Sequence, residues 1–123
     1  MNAIRAALLA LSLGLALPVQ ATPTTPTGAI SVAQVVDLIQ RSPQDNAARN
    51  AAMAYLAGVG EATGLLVAEA GRRAHVSISC ARPLGISSSA ALAALSHTDR
   101  AQWDQTAATP ILVEDMLSRA DCR

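Results

Sequence analysis

The feature that most limits how this chain can fold is its pair of cysteines, Cys80 and Cys122, the only two in the sequence. The chain opens with a stretch that is typical of exported proteins, and exported proteins meet an oxidising environment in which such a pair forms a disulfide. Closing a loop of about 43 residues removes unfolded-state entropy worth roughly 4 kcal/mol. The sequence therefore predicts a small exported domain that is closed at its C-terminal end by a Cys80–Cys122 disulfide.

Two alternatives exist for the cysteine pair. The thiols could stay free and buried, or they could bind a metal ion. A zinc site uses a C-x₂-C spacing or nearby histidine pairs, and neither His75 nor His97 lies at such a spacing. We therefore favour the disulfide and predict no metal site and no cofactor.

The N-terminal stretch Met1–Ala21 has the three parts of a cleavable signal peptide. A short region that ends at the single charge of Arg5 precedes the continuous apolar run Ala6–Leu17, and small residues stand at Val19 and Ala21. A transmembrane helix needs roughly 20 apolar residues, which is more than this run supplies. We predict cleavage after Ala21; the alternative is that the segment is retained as an anchor.

The remaining chain has the length of one domain. Its first part, Thr22–Gly28, is rich in Thr and Pro and shows no apolar periodicity, so it is typical of a flexible linker. We predict a linker over residues 22–30 and one small helical domain over residues 31–123.

The spacing of apolar residues predicts an all-α domain of four helices. The first helix follows Ser31, which forms a capping box with Gln34, and it ends near Arg41. Ser87 or Ser88 caps a third helix, which is predicted over Ser88–His97 with Leu92 and Leu95 inward. A short helical turn capped by Asp99 contains Trp103. The last helix starts with Thr109-Pro110, ends at Cys122 and buries four large side chains: Leu112, Val113, Met116 and Leu117.

The second helix is the longest and is predicted to run from Pro43 or Asp45 to Ala70, with Gly71 as its cap. It should bury one apolar stripe, which consists of Ala52, Met53, Leu56, Val59, Thr63, Leu66 and Val67. The opposite side carries Asn50, Ala54, Ala57, Glu61 and Ala68. Three glycines interrupt this helix, Gly58, Gly60 and Gly64, and we expect another helix to cross them closely. After the helix, Arg72–Cys80 alternates like a strand but has no second strand to pair with, so we predict an extended loop.

The charge balance excludes one class of partner. The chain has nine arginines, no lysine and nine carboxylates, so it lacks the clustered positive charge with which proteins bind nucleic acid. It likewise gives no reason to expect attraction to an anionic membrane.

No pattern in the sequence indicates catalysis. The run from Gly85 to Ser89 lacks the second glycine of a nucleophile elbow, and no strand precedes it. Neither histidine is paired with a nucleophile by sequence, and Glu114-Asp115 are adjacent, so their side chains diverge on a helix. We predict a protein that is not an enzyme. Trp103 and Tyr55 are the only large aromatic residues; each fills the core or forms part of a binding hot spot.

Three stretches together resemble a known family. Ala54–Val59 resembles a Gly-Tyr-aliphatic-x-Gly-Val motif in a long helix, and Ser79–Pro83 resembles a Phe-Cys-x-Pro turn. The positions from Leu95 to Cys122 follow the spacing of a closing helix that ends in Cys. The chain is in these respects similar to the Rap/Tai family of periplasmic immunity proteins of type VI secretion systems, which are related in shape to the acid-stress chaperone HdeA. The family's Phe-Pro-Cys ending is Ala120-Asp121-Cys122 here.

The resemblance implies a small periplasmic helical domain that binds and neutralises a protein toxin, such as a peptidoglycan-degrading effector. The alternative that it implies is an HdeA-like periplasmic chaperone that binds unfolded clients at low pH, or another non-enzymatic periplasmic binding protein. Tight partner binding needs aromatic or arginine hot spots, and we expect these at Trp103, Arg72 and Arg73. We expect no membrane span after signal cleavage; a homodimer is compatible with the sequence.

Overall fold

The computed structural model describes residues 24–123. In this part of the chain α1 spans Val32–Arg41, α2 spans Asn46–Ala74, α3 spans Ser88–Leu95 and α4 spans Ala108–Ala120, with a 3₁₀ turn at Arg100–Gln102. The described residues contain no β-strand, only two isolated bridges. The predicted all-α domain of four helices with one disulfide is therefore confirmed. The predicted leader Met1–Ala21 lies outside the described residues.

Helix α1 forms as its sequence predicts. The Ser31 hydroxyl accepts a hydrogen bond from the backbone N–H of Gln34, and the Gln34 side chain accepts one from the Ser31 N–H. This capping box satisfies two backbone donors at the start of the helix. The apolar stripe of α1 is buried and consists of Val32, Val35, Val36 and Ile39. The helix thus supplies one wall of the core.

Helix α2 is longer than predicted. Its N-cap is Asp45, whose carboxylate accepts hydrogen bonds from two backbone N–H groups of the first turn. Its 29 residues span about 43 Å at 1.5 Å per residue. The expectation that Gly71 ends the helix is wrong, since the helix continues to Ala74 and His75 takes the left-handed conformation with φ of 55°.

Gly71 has a different role, which is close packing. The chain turns back after His75, so that a Cβ on Gly71 would lie 2.9 Å from the Val76 backbone oxygen and 3.3 Å from Ile78. Gly71 is therefore required by the loop that packs over it. A Cβ on Gly60 would also contact a loop, at the longer distance of 3.4 Å from the Leu84 backbone oxygen. The expectation that another helix crosses these glycines closely is wrong, because a loop lies over Gly60 and a Cβ on Gly58 or Gly64 would meet no atom within 4 Å.

The predicted buried stripe of α2 is correct at its centre and wrong at two positions. Ala52, Leu56, Val59 and Thr63 are buried, whereas Met53 is 62% and Leu66 is 67% exposed. Met53 lies about 100° around the helix from its neighbour Ala52, so both cannot face the same core. No neighbouring element covers Leu66. Thr63 satisfies its buried hydroxyl by donating to the Val59 carbonyl oxygen at 2.7 Å.

The C-terminal half of the domain begins with α3, which Ser87 caps as predicted. The helix ends at Leu95, earlier than the predicted His97, because Ser96 caps it by donating its backbone N–H to the Leu92 carbonyl oxygen. Leu95 is fully buried, while Leu92 is only partly buried. Helix α4 starts at Ala108, earlier than the predicted Thr109-Pro110 start, because the Ala108 N–H bonds to the Ile30 carbonyl oxygen and fixes the chain there.

Helix α4 also ends earlier than predicted, at Ala120, after which Asp121 is left-handed. Leu112 and Met116 are buried as expected. Leu117 was expected to be buried but is 37% exposed, because it lies on the flank of α4.

The disulfide joins Cys80 to Cys122. Beside it, Ser79 and Arg123 exchange two backbone hydrogen bonds of 2.9 Å. The bond ties the loop that follows α2 to the end of α4. This arrangement agrees with the sequence prediction, and it holds α3 and α4 against α1 and α2.

Candidate functional site

Trp103 lies between α1 and α3, directly after the 3₁₀ turn. Its indole N–H donates to the Thr98 carbonyl oxygen at 3.0 Å, and its ring packs against the buried core from the outside. The side chain is therefore partly buried, with its one polar group satisfied inside the protein. What remains accessible is the apolar part of the indole.

Arg100 covers this ring. Its guanidinium carbon lies 5.3 Å from the centre of the Trp103 ring, within the range of a cation–π interaction. Arg100 forms no ion pair with any described residue. The Asp99 carboxylate holds the turn by accepting a hydrogen bond from the Ala101 N–H, and this turn places Arg100 and Trp103 on the same side.

Trp103 and Arg100 line a surface groove of about 340 Å³ together with Val36, Gln40, Leu92 and Ser96. We call it the Trp103 groove. Its floor is apolar and its rim is polar, which is how binding pockets combine burial with specificity. Its volume suits one or two side chains of a partner. No residue of α2 lines it.

The structure does not bring the other two predicted contact residues to this groove. Arg72 and Arg73 lie in the last turn of α2 with side chains that are 75% and 77% exposed. Both guanidinium groups bond to the Glu69 carboxylate, at 2.6 Å each. These hydrogen bonds, from Arg73 first and then Arg72, lower the pKa of Glu69.

A second surface lies on the solvent side of α2. From Asn50 to Ala68 the only charged residue is Glu61, and Leu65 is 72% exposed. We define the outer face of α2 as six exposed residues: Met53, Ala54, Ala57, Glu61, Leu65 and Ala68. Glu61 forms no ion pair with any residue of the described chain. An exposed apolar surface of this kind marks an interaction site.

Grooves flank this outer face on both sides. One, of about 610 Å³, separates α2 from the loop at Leu84–Ile86. The other, of about 320 Å³, lies between α2 and α4 and has Leu66 and Val113 in its walls. At one end of the second groove the Tyr55 hydroxyl and the Thr109 hydroxyl are hydrogen-bonded at 2.9 Å. Burial raises the pKa of Tyr55, and the hydrogen bond opposes that rise.

The two ends of α2 carry different clusters of charged residues, and at the N-terminal end the exposed Arg49 adds a positive charge next to the cluster. At the N-terminal end Arg41 bonds to both Asp37 and Asp45, at 2.8 Å each, and two carboxylates with one guanidinium leave a net charge of −1. The backbone N–H of Ala48, more than the nearby Arg41, lowers the pKa of Asp45.

At the C-terminal end of α2 one carboxylate binds two guanidinium groups, which leaves a net charge of +1. We call the two groups the acidic triad (Asp37, Arg41, Asp45) and the basic triad (Glu69, Arg72, Arg73).

By length and composition α2 could span a membrane, and it is the single such helix within residues 24–123. Its most apolar 18-residue window has a mean hydropathy of 1.4, and only 28% of that window is buried. One side of α2 nevertheless packs against the other helices. The high mean hydropathy of α2 therefore reflects the same apolar residues that are exposed on its outer face.

The residues considered for catalysis lie apart from one another. Ser87 accepts from the Ala90 N–H as a helix cap, while His75 and His97 are exposed at the ends of different helices. Within the described chain no three His, Cys, Asp or Glu residues are grouped so that they could hold a metal ion.

Comparisons with known proteins add no relative. No family model matches the sequence, no curated protein matches it, and no solved structure matches the fold. The resemblance to the Rap/Tai family therefore rests on the residues quoted above alone.

The sequence interpretation missed Arg100. It placed Ala54, Ala57, Glu61 and Ala68 on the side of α2 opposite the buried stripe, but it did not recognise this side as an exposed apolar face that includes Met53 and Leu65. Arg100 precedes Trp103 by one helical turn, and residues at this spacing lie side by side, so the spacing could have indicated it. The outer face could have been found from the lack of charge between Asn50 and Ala68, because a solvated helix face normally carries charged residues.

Proposed function

We propose that the protein is an exported, periplasmic immunity-type protein that binds and neutralises a secreted protein toxin, and that the Trp103 groove makes the central contact. The observation that carries the proposal is the indole of Trp103 under the guanidinium of Arg100 in a surface groove. Tryptophan and arginine are the residues most enriched at the energetic centres of protein interfaces.

The chemistry of the groove defines what it would bind. Its apolar floor of Val36, Leu92 and Trp103 suits an aliphatic or aromatic side chain that projects from the toxin. Arg100 stands at the rim without an ion pair in the described chain, so a carboxylate next to that side chain would complete the contact. Because the indole N–H is already satisfied by Thr98, the ring can be covered without leaving a buried donor unpaired.

Two further observations support the class of function. The disulfide is typical of proteins of oxidising compartments, as a periplasmic protein would be. The resemblance to Rap/Tai immunity proteins suggests a peptidoglycan-degrading effector as the toxin. Arg72 and Arg73 stay in the proposal as an outer contact, since both are exposed and close together.

The test begins with a pull-down of hydrolases from the periplasm and from neighbouring cells with the purified protein, and its readout is the protection of cells that produce a recovered hydrolase in the periplasm. The wild-type protein should restore growth and should inhibit the purified hydrolase. Arg100→Glu should weaken binding at least tenfold, because it reverses the charge at the rim and removes the cation–π contact. Arg49→Glu is the matched control: Arg49 is also exposed on a helix and only donates to a backbone oxygen of Ser42.

The double variant Arg72→Glu/Arg73→Glu tests the outer contact in the same assay. If Arg100→Glu and Trp103→Phe bind as well as the wild type, the groove is not the contact site. If the wild-type protein neither protects cells nor binds the hydrolase, the immunity function itself is refuted.

A second candidate function, an HdeA-like periplasmic chaperone, is favoured by the exposed apolar outer face of α2. Such a face could bind apolar segments of unfolded clients. The purified protein should then suppress the aggregation of an acid-denatured client at low pH and not at neutral pH. Leu65→Glu should abolish this suppression while Arg100→Glu should not, which separates the two candidates. Equal aggregation with and without the protein would exclude the chaperone function.

A further inference from the structure

We propose that the toxin also contacts a second groove, on the other side of α3 from Trp103, and presents there a lysine or arginine next to an apolar side chain. This second contact rests on the proposed function, and Glu61 is the residue that determines its specificity. The second groove, of about 610 Å³, lies between α2 and the loop Leu84–Ile86. We call it the Glu61 groove.

The Glu61 groove is open because glycines line it. Gly60 and Gly64 lie on its α2 side, and Gly85 lies on its loop side. A Cβ on Gly64 or Gly85 would meet no atom within 4 Å, so packing inside the chain does not require glycine at either position. In α2, glycine also weakens the helix relative to alanine. The missing side chains leave room for an apolar side chain from outside, which would contact Leu56 and Ile86.

The charge of the groove is that of one carboxylate. Among the residues that line it, Glu61 alone is charged, and this exposed side chain forms no ion pair with any described residue. Arg119 reaches the loop at the Gly85 carbonyl oxygen but is paired with Asp115 at 2.8 Å. Arg82 is bonded to the Arg119 carbonyl oxygen at the end of α4 and does not line the groove. A cationic side chain of the toxin therefore complements the groove.

Helix α3 joins the two grooves. Ser88 lines the Glu61 groove, whereas Leu92 and Ser96 line the Trp103 groove. The three residues are spaced by four, so they lie on the same face of the helix, and about 12 Å separates the first from the last. None of them is fully buried. A standard interface covers ~800 Å² of each partner, a patch about 28 Å across, so one toxin surface can cover both grooves.

Glu61 should contribute more to the choice of toxin than to the strength of binding. An ion pair between exposed side chains changes affinity by only about two- to fivefold. A toxin with a carboxylate at the same place would instead meet a like charge, which excludes the wrong partner. The apolar side chain that enters the groove should supply the larger part of the affinity.

The first experiment maps the groove by NMR titration of the ¹⁵N-labelled protein at neutral pH. The protein is expressed as the full chain and purified as the cell delivers it. The probes are two capped peptides, acetyl-Gly-Arg-Leu-Gly-amide and acetyl-Gly-Glu-Leu-Gly-amide. The basic peptide should shift the amide signals of Gly60 and Gly85, and the acidic peptide should not. Glu61→Gln should weaken binding of the basic peptide about two- to fivefold.

Matched variants separate filling of the groove from a change in the helix. Gly64→Leu should fill the groove and abolish the shifts. Gly58→Leu is its control, because a Cβ on Gly58 also meets no atom within 4 Å but Gly58 does not line this groove. Glu114→Gln, at an exposed carboxylate of α4 outside the groove, is the control for Glu61→Gln. Circular dichroism melting of each variant shows that it remains folded.

The second experiment measures binding of the hydrolase recovered in the pull-down. Glu61→Arg and Gly64→Leu should each weaken binding at least tenfold, whereas Glu114→Arg and Gly58→Leu should leave it unchanged. If Arg100→Glu weakens binding and neither Glu61→Arg nor Gly64→Leu does, the second contact is overturned and the proposed function stands. If the wild type binds no hydrolase, the proposed function is refuted and the second contact with it.

The peptide titration has three outcomes that overturn the second contact on their own. One is equal binding of the acidic and basic peptides, which would remove the role of Glu61. Another is a shift of the same amide signals with protein concentration alone, which would assign the groove to a second copy of this chain. The third is a shift caused by phosphatidylglycerol–phosphatidylethanolamine vesicles and by neither peptide, which would assign the groove to a membrane.

Discussion

Removing the disulfide should strongly lower the stability of this domain. The bond joins residues that are 42 positions apart, and the enclosed chain contains α3, the 3₁₀ turn and α4. In the chain-entropy model a loop of this length corresponds to about 4 kcal/mol. We therefore expect Cys122→Ser to lower the free energy of unfolding by about 4 kcal/mol.

The folded state offers little to offset this loss. The two hydrogen bonds between Ser79 and Arg123 survive the substitution, but they lie next to the chain terminus and each contributes only about 1 kcal/mol. A domain of this size is stabilised by about 5–15 kcal/mol in total. At roughly 4–8 °C per kcal/mol for a small domain, the melting temperature should fall by about 15–30 °C.

The measurement is urea unfolding followed by the fluorescence of Trp103, the only tryptophan. It should be made on the wild type, on the wild type with reductant, on Cys122→Ser, and on Cys80→Ser/Cys122→Ser. The last three should share one midpoint, well below that of the oxidised protein. A reduced wild type that unfolds at the same urea concentration as the oxidised protein would refute the entropic argument.

Three further predictions concern single residues. Ser31→Ala should lower the free energy of unfolding by about 1 kcal/mol through loss of the capping box, measured by urea unfolding. An unchanged free energy of unfolding would contradict this role of the cap. Gly58→Ala should raise the free energy of unfolding by about 1 kcal/mol, because its new Cβ meets no atom within 4 Å. Gly71→Ala should lower it, because the new Cβ meets a backbone oxygen at 2.9 Å. Thermal melts that rank these two variants the other way would contradict the packing. The pKa values of Asp45 and Glu69 are lowered in the folded state. The two carboxylates therefore stabilise the fold fully above the pKa values of the unfolded chain, and this contribution is lost as pH falls below about 4. Asp45→Asn should flatten this acid dependence in thermal melts taken across that pH range.

The sequence predictions were most accurate for helix caps and for the disulfide. The capping box of Ser31, the caps at Ser87 and Asp99 and the cysteine pair all formed as predicted. Each depends on contacts within a few residues or on a covalent bond. Helix ends were less certain: Gly71 has the residue type of a cap, yet it lies inside α2 because the returning loop packs on it.

The candidate site likewise combines features that the local sequence specifies with features that depend on tertiary packing. Trp103 was identified from its type and rarity, but Arg100, which completes the groove, is recognised only when the ring and the guanidinium are placed together at 5.3 Å. The exposure of Met53, Leu65 and Leu66 was not foreseen, because periodicity tells which residues share a face and not whether another element covers it.

The sequence by itself determined that this is a small helical domain with one disulfide, because helix periodicity, caps and cysteine pairing are encoded by neighbours along the chain or by a single covalent bond. Only the tertiary structure decided which apolar residues of α2 are covered. Burial depends on the reach of α1, α3 and α4, and each of these helices is much shorter than α2. The part of α2 that they do not cover is its exposed outer face, and the groove that α1 and α3 form around Trp103 is the surface that we propose binds a toxin.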